Sequence, residues 1–150
     1  MAVLFAEAVA FNSLEDILSL MREFESRMLS RKRWTHAAHL CVALWYLLQY
    51  DWPEAVRRVR EGIRLLNEAH GVENTPERGY HETLTLFWLS FVRAYLARER
   101  NEGRSLVALS NELAASADAR LPLAFYTRER LFSRAARFGW VEPDLKELPF

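Results

Sequence analysis

Nine consecutive residues, "LCVALWYLL" from Leu40 to Leu48, offer water little beyond a phenol, an indole N–H and a thiol. A surface helix keeps a polar face, so a segment apolar on nearly every side must be enclosed by other elements. It is too short to cross a bilayer, which takes about 20 apolar residues. The run therefore predicts a central helix over roughly 35–50, with the remaining chain packed around it. With 150 residues the protein can bury one substantial core, and it reads as a single domain over 1–150.

The flanking segments carry helical rather than strand patterns. Glycine and proline, five of each, fall at breaks, and no alternating β-branched run occurs. In "NSLEDILSLMREFESRML" Ser13 and Asp16 stand at capping-box spacing, and Leu14, Ile17, Leu18, Met21, Phe24 and Met28 recur at helical period. A first helix is expected over roughly 14–29. Asp51 as N-cap and Pro53 in the first turn open a third helix, striped by Val56, Val59, Ile63 and Leu66 and stopping before Gly71. After the breaker-rich connection "GVENTPERG", a fourth helix follows in "YHETLTLFWLSFVRAYLARER". A shorter helix over roughly 105–117 and a last one from Pro122 to near Gly139 precede the extended tail "WVEPDLKELPF", expected to lie across the surface. The fold class is all-α: an up-down-up-down four-helix bundle core with two additional C-terminal helices.

Charge narrows the partners. The formal net charge is zero, which removes a global electrostatic case for nucleic acid or for an anionic membrane. The basic clusters "VRRVREGIR" and "YTRERLFSRAARF" are diluted by glutamate and read as solvated helix faces. A single cysteine, Cys41, excludes an intramolecular disulfide and suits a reducing compartment. "MAVLFAEAVAFN" lacks a basic leader and is interrupted by Glu7, so it reads poorly as a signal peptide, and the expected location is the cytoplasm. A small molecule is the expected partner, and nothing in the composition bears against a homo-oligomer.

Polar residues inside the apolar stripes locate a candidate site. Half of the four histidines fall in "WTHAAHL", where His36 and His39 share a helical face with Ala43, Tyr46 and Leu47. His70 extends the stripe of the third helix with Asn67 beside it, and His81 leads the face Leu84–Trp88–Val92 with Thr85 one turn on. Glu25, about 40° from Met21 on the helical wheel, lies within the first helix's apolar stripe. In an up-down bundle the end of helix one, the start of helix two, the end of helix three and the start of helix four all meet at one end. The four histidines and Glu25 are therefore expected to converge there.

Imidazoles from adjacent turns and facing helices are a common ligand set for a divalent transition metal such as zinc, iron or nickel. On this reading His36, His39, His81 and His70 are metal ligands, and Glu25 is a fourth ligand or the base that deprotonates bound water. The positive dipole end of a helix disfavours protonation of His36 and His81, while a helix C-terminus favours a protonated His70 for structural reasons alone. Asn74 and Thr75 in the "GVENTPERG" connection are expected as polar substrate contacts on a lid, and Tyr126, with Arg128 and Arg130, as a rim over the cluster. Metal-assisted hydrolysis or transfer on a small substrate would follow. A metal-free pocket in which His and Glu act on an organic ligand is an intermediate reading. The competing one is a non-catalytic helical interaction module whose buried histidines hydrogen-bond carboxylates or loop carbonyls. Paired Glu-x-x-His motifs, His-Glu-x-x-His and Gly-rich phosphate loops are absent, and Cys41 is placed too deep to be a nucleophile.

Two resemblances attach to these residues. "WTHAAHL", "NEAHGVENTPERGYHET" and the ending "VEPDL" resemble a group of uncharacterised small bacterial all-α proteins sharing WTHxxHL and GYHET motifs, over most of the chain. That resemblance implies a bacterial all-α protein and transfers no activity. The histidines on separate helices are also similar in architecture to DinB/YfiT-like metal-binding bundles, which implies a metal-centred site, although their late His-x-x-x-His pair is not matched here.

Overall fold

A computed structural model describes residues 9–98 and 103–150. The protein is an all-α helical bundle, with no strand among the described residues. Its helices are α1 (Leu14–Glu25), α2 (His36–Gln49), α3 (Trp52–Ala69), α4 (Glu82–Arg98), α5 (Leu106–Ser116), α6 (Arg128–Leu131) and α7 (Arg134–Phe138), with short 3-10 turns at Arg31–Arg33 and Leu121–Ala124. Among the described residues no helix is long and apolar enough to cross a membrane.

Side-chain caps set most helix starts. The hydroxyls of Ser13, Thr35 and Ser105 and the carboxylate of Asp51 accept backbone N–H bonds from Asp16, Ala38, Ala108 and Glu54, satisfying donors that the first turn leaves open. The carboxylate of Asp16 reaches back to the Asn12 N–H at 2.8 Å, so the expected reciprocal cap forms one residue early. α1 stops at Glu25, short of the expected 29, because Arg27 turns into the left-handed region at φ 63° and redirects the chain. Met28, expected in the apolar stripe, is consequently 76% exposed.

α2 is the central helix, as its all-round apolarity predicts, and buries Ala38, Leu40–Leu44 and Tyr46. α1, α3, α4 and α5 all pack against it. α5 is thus a full member of the core: Leu109 and Leu113 are buried, and the Ser110 hydroxyl lies 3.6 Å from the Cys41 sulfur. The single last helix expected over 122–139 is instead three short pieces. Thr127 and Ser133 each cap a new start, and such local side-chain bonds compete with helix continuation. These pieces close a second core of Phe87, Phe125, Tyr126 and Leu131, against which Val141, Leu148 and Phe150 of the tail pack.

Candidate functional site

At one end of the bundle α2, α3 and α4 diverge around a cavity of about 410 Å³. From α2 it receives His36, His39 and Ala43, and from α3 Val59, Ile63 and Asn67. From the start of α4 come Gly79–His81, Leu84, Thr85, Trp88 and Leu89, while Trp34 and Ala119 complete the wall. Among the described residues no aspartate, glutamate, lysine or arginine lines it. The volume falls in the range of small-molecule sites, and the mixture of an apolar wall with a few polar groups is their usual composition.

The aromatic walls are held by stacking. Trp34 stacks on the His39 ring at 3.6 Å and on Phe24 at 5.3 Å, so its indole bridges α1 and α2. Trp88 meets His36 edge-on at 4.6 Å. Gly62, in the middle of α3, admits the Phe24 ring so closely that a Cβ there would lie 2.4 Å from it.

Each of the four histidines donates one ring N–H to a backbone carbonyl. His36 Nε2 bonds Ala117 O at 3.0 Å, His39 Nδ1 bonds Thr35 O at 2.7 Å, His70 Nε2 bonds Leu29 O at 2.6 Å, and His81 Nε2 bonds Leu131 O at 2.7 Å. A carbonyl only accepts, so each bond places the hydrogen on the named nitrogen. The remaining nitrogens then differ. His81 Nδ1 accepts the Leu84 N–H at 3.1 Å and caps α4, which leaves that ring fully engaged. His36 Nδ1 and His39 Nε2 have no hydrogen-bond partner among the described residues. Burial pushes the His39 pKa down to about 4; the His36 charge adds to this, and the Thr35 carbonyl only partly offsets it. The His81 pKa is also lowered by burial, with the nearby Arg137 contributing in the same direction.

The other polar groups of the cavity divide in the same way. Thr85 Oγ1 donates to the His81 carbonyl at 2.9 Å, and the Tyr80 hydroxyl donates to Glu82 at 3.1 Å. Glu82 in turn receives a bidentate Arg60 guanidinium at 2.7–3.0 Å, an α3–α4 clamp just outside the cavity. The Asn67 carboxamide, half-buried on the α3 side, makes no hydrogen bond among the described residues.

Of the expected site residues, the structure brings His36, His39 and His81 to one cavity and separates the rest. His70 instead ties the end of α3 to the α1–α2 connection. Glu25 lies in a different cleft, where it accepts the Tyr46 hydroxyl at 2.9 Å. Asn74 shapes its own loop by accepting the Tyr80 N–H at 2.9 Å, and Thr75 pairs with Arg78 in a tight turn closed by left-handed Gly79. Neither lines the cavity; the end of that segment does. Tyr126 is wholly buried in the second core, where it donates to Val141 O at 2.8 Å. Among the described residues no three His, Cys, Asp or Glu side chains stand together as a group that could hold a metal ion. The thiol of Cys41 is pushed up to about 11 by burial, which argues against a thiolate nucleophile.

Trp34 and Tyr80 are walls of the site that the sequence pattern did not single out, and Asn67, read there only as standing beside His70, is a third. Asn67 continues the line Val59–Ile63 on α3, which is the signal that places it there. Trp88 shares the α4 face of His81 and Leu84, and only its role in a cavity rather than in the core was hidden. Set against known proteins, the chain matches no family model, no curated protein and no solved structure, so its function is read from this geometry.

Proposed function

We propose that the protein binds a small, uncharged organic molecule in the cavity between α2, α3 and α4. The observation that carries this reading is a volume of about 410 Å³ walled by two indoles and three imidazoles, with no Asp, Glu, Lys or Arg in the wall among the described residues. An ionic ligand would lose its hydration there without gaining a counter-charge, whereas a neutral aromatic one would exchange water for apolar contact. Binding is favoured over hydrolysis because Glu25, the carboxylate expected as the base, lies in the other cleft.

The experiment is a titration, followed by tryptophan fluorescence, with quinoline and with quinoline-2-carboxylate. Quinoline is expected to bind saturably, and the carboxylate to bind more weakly. In Ala119→Trp, which fills the cavity from an exposed position, quinoline affinity should fall about tenfold or more, the loss of roughly 1.4 kcal/mol of contact. Preference for the anion, or indifference to Ala119→Trp, would overturn the reading.

A second reading, a zinc, iron or nickel ion on His36 Nδ1 and His39 Nε2, draws on the same two unpartnered nitrogens and lacks a third protein ligand among the described residues. Stoichiometric metal in the purified protein, lost in a His36→Ala/His39→Ala double variant, would replace the organic ligand by this one.

A further inference from the structure

Polar groups in a cavity wall reveal their ligand by what they leave unsatisfied. Thr85, Tyr80 and both nitrogens of His81 are engaged inside the protein, so they shape the wall without selecting an occupant. Five side-chain functions remain without a hydrogen bond among the described residues: the second nitrogens of His36 and His39 on α2, the carboxamide of Asn67 on α3, and the indole N–H groups of Trp34 and Trp88, which can only donate. In the neutral ring, a nitrogen whose neighbour holds the hydrogen is a lone-pair acceptor, so the α2 side asks for a donor. Asn67 supplies one carbonyl and one NH₂, so the α3 side takes a donor, an acceptor or both. The indoles of Trp34 and Trp88 provide flat apolar walls.

We infer that the occupant is a planar, uncharged nitrogen heterocycle of the lactam type, whose ring N–H donates to an imidazole nitrogen on α2 and whose carbonyl accepts from Asn67 on α3. This rests on the proposed cavity function and adds the chemical class. The low pKa of His39 is consistent with it, since the ring keeps its acceptor lone pair at neutral pH. An apolar hydrocarbon of the same shape would leave without partners both the imidazole acceptor and the carboxamide that the lactam engages, and polar groups shut off from water unpaired disfavour binding.

The test compares 2-quinolone with N-methyl-2-quinolone on the wild-type protein by calorimetry, a comparison that needs no variant to fold. 2-Quinolone is expected to bind about tenfold more tightly or better. The preference should shrink to about twofold in His39→Phe, whereas Asn67→Leu should weaken both lactams about equally and leave the preference unchanged, each variant first verified as helical by circular dichroism. If both lactams bind equally in the wild type and Ala119→Trp weakens both, the cavity reading stands and the lactam class is overturned. The lactam class is equally overturned if quinoline binds and neither lactam does. If none of the three compounds binds, the cavity reading itself fails, and the inference with it.

Discussion

Two hollows flank the α1–α3 contact, and they hold their polar groups in opposite ways. The cleft of about 350 Å³ around Glu25, Tyr46, Arg57, Arg58 and Glu61 is rich in charge, and most of that charge is paired within the protein. Arg57 bridges Glu54 and Glu61, Arg58 bonds Glu54 and covers the Tyr50 ring at 4.1 Å, and Tyr46 donates to Glu25. Arg57, with Arg58, holds the Glu54 carboxyl down at about 2. The histidine cavity carries no Asp, Glu, Lys or Arg in its described wall, yet keeps five polar functions there without a hydrogen bond: two imidazole nitrogens, the Asn67 carboxamide and two indole N–H groups. Charge density is therefore a poor guide to a site here. Unsatisfied hydrogen-bonding capacity in an apolar setting is a better one, because only such groups gain by meeting a ligand.

The largest expected effect separating the two hollows is acid sensitivity. His39 has a folded pKa of about 4 against 6.5 in its unperturbed state, so the unfolded chain takes up the proton first as pH falls. Its contribution to stability is fully present above about pH 6.5 and is lost as pH drops through about 4, at most about 3 kcal/mol. His81, also lowered, acts with the same sign. Urea midpoints measured between about pH 7.5 and about pH 4 should fall more steeply for the wild type than for His39→Phe; parallel curves would show that the His39 imidazole is not the cause.

A change at Gly62 should link the two hollows. Alanine normally improves a helix interior by up to about 1 kcal/mol over glycine. Here its Cβ would strike the buried Phe24 ring, so Gly62→Ala should instead cost about 1–3 kcal/mol in denaturant unfolding. Because Phe24 stacks on Trp34, the tryptophan emission should shift as well. A stabilised variant with unchanged emission would break that link.

The smallest effect belongs to the charged cleft. Glu25→Gln keeps an acceptor for the Tyr46 hydroxyl at an exposed position, so stability should change by about 1 kcal/mol or less and quinoline affinity not at all. Loss of binding in this variant would return Glu25 to the site.

Side-chain caps and apolar period locate α1 to α5 from the sequence, because both are short-range properties that a helix carries wherever it packs. The same period brings His36, His39 and His81 to one end of the bundle. Glu25 escapes this logic although its wheel position is right: Arg27 ends α1 early, leaving Glu25 on the last turn beside Tyr46 instead of among the histidines. The arginine neighbours of Tyr126 suggest a rim, while the broken helix around it turns its ring into the second core.

What the amino-acid order determined by itself is an all-α chain with a buried central helix and imidazoles facing inward at one end. Which imidazole nitrogens remain open was decided only in three dimensions. His36 finds its carbonyl on Ala117, 81 residues away, and His81 on Leu131, 50 residues away. Helical periodicity reports the face on which a side chain stands, whereas a hydrogen bond depends on which distant backbone group arrives opposite it within about 3 Å.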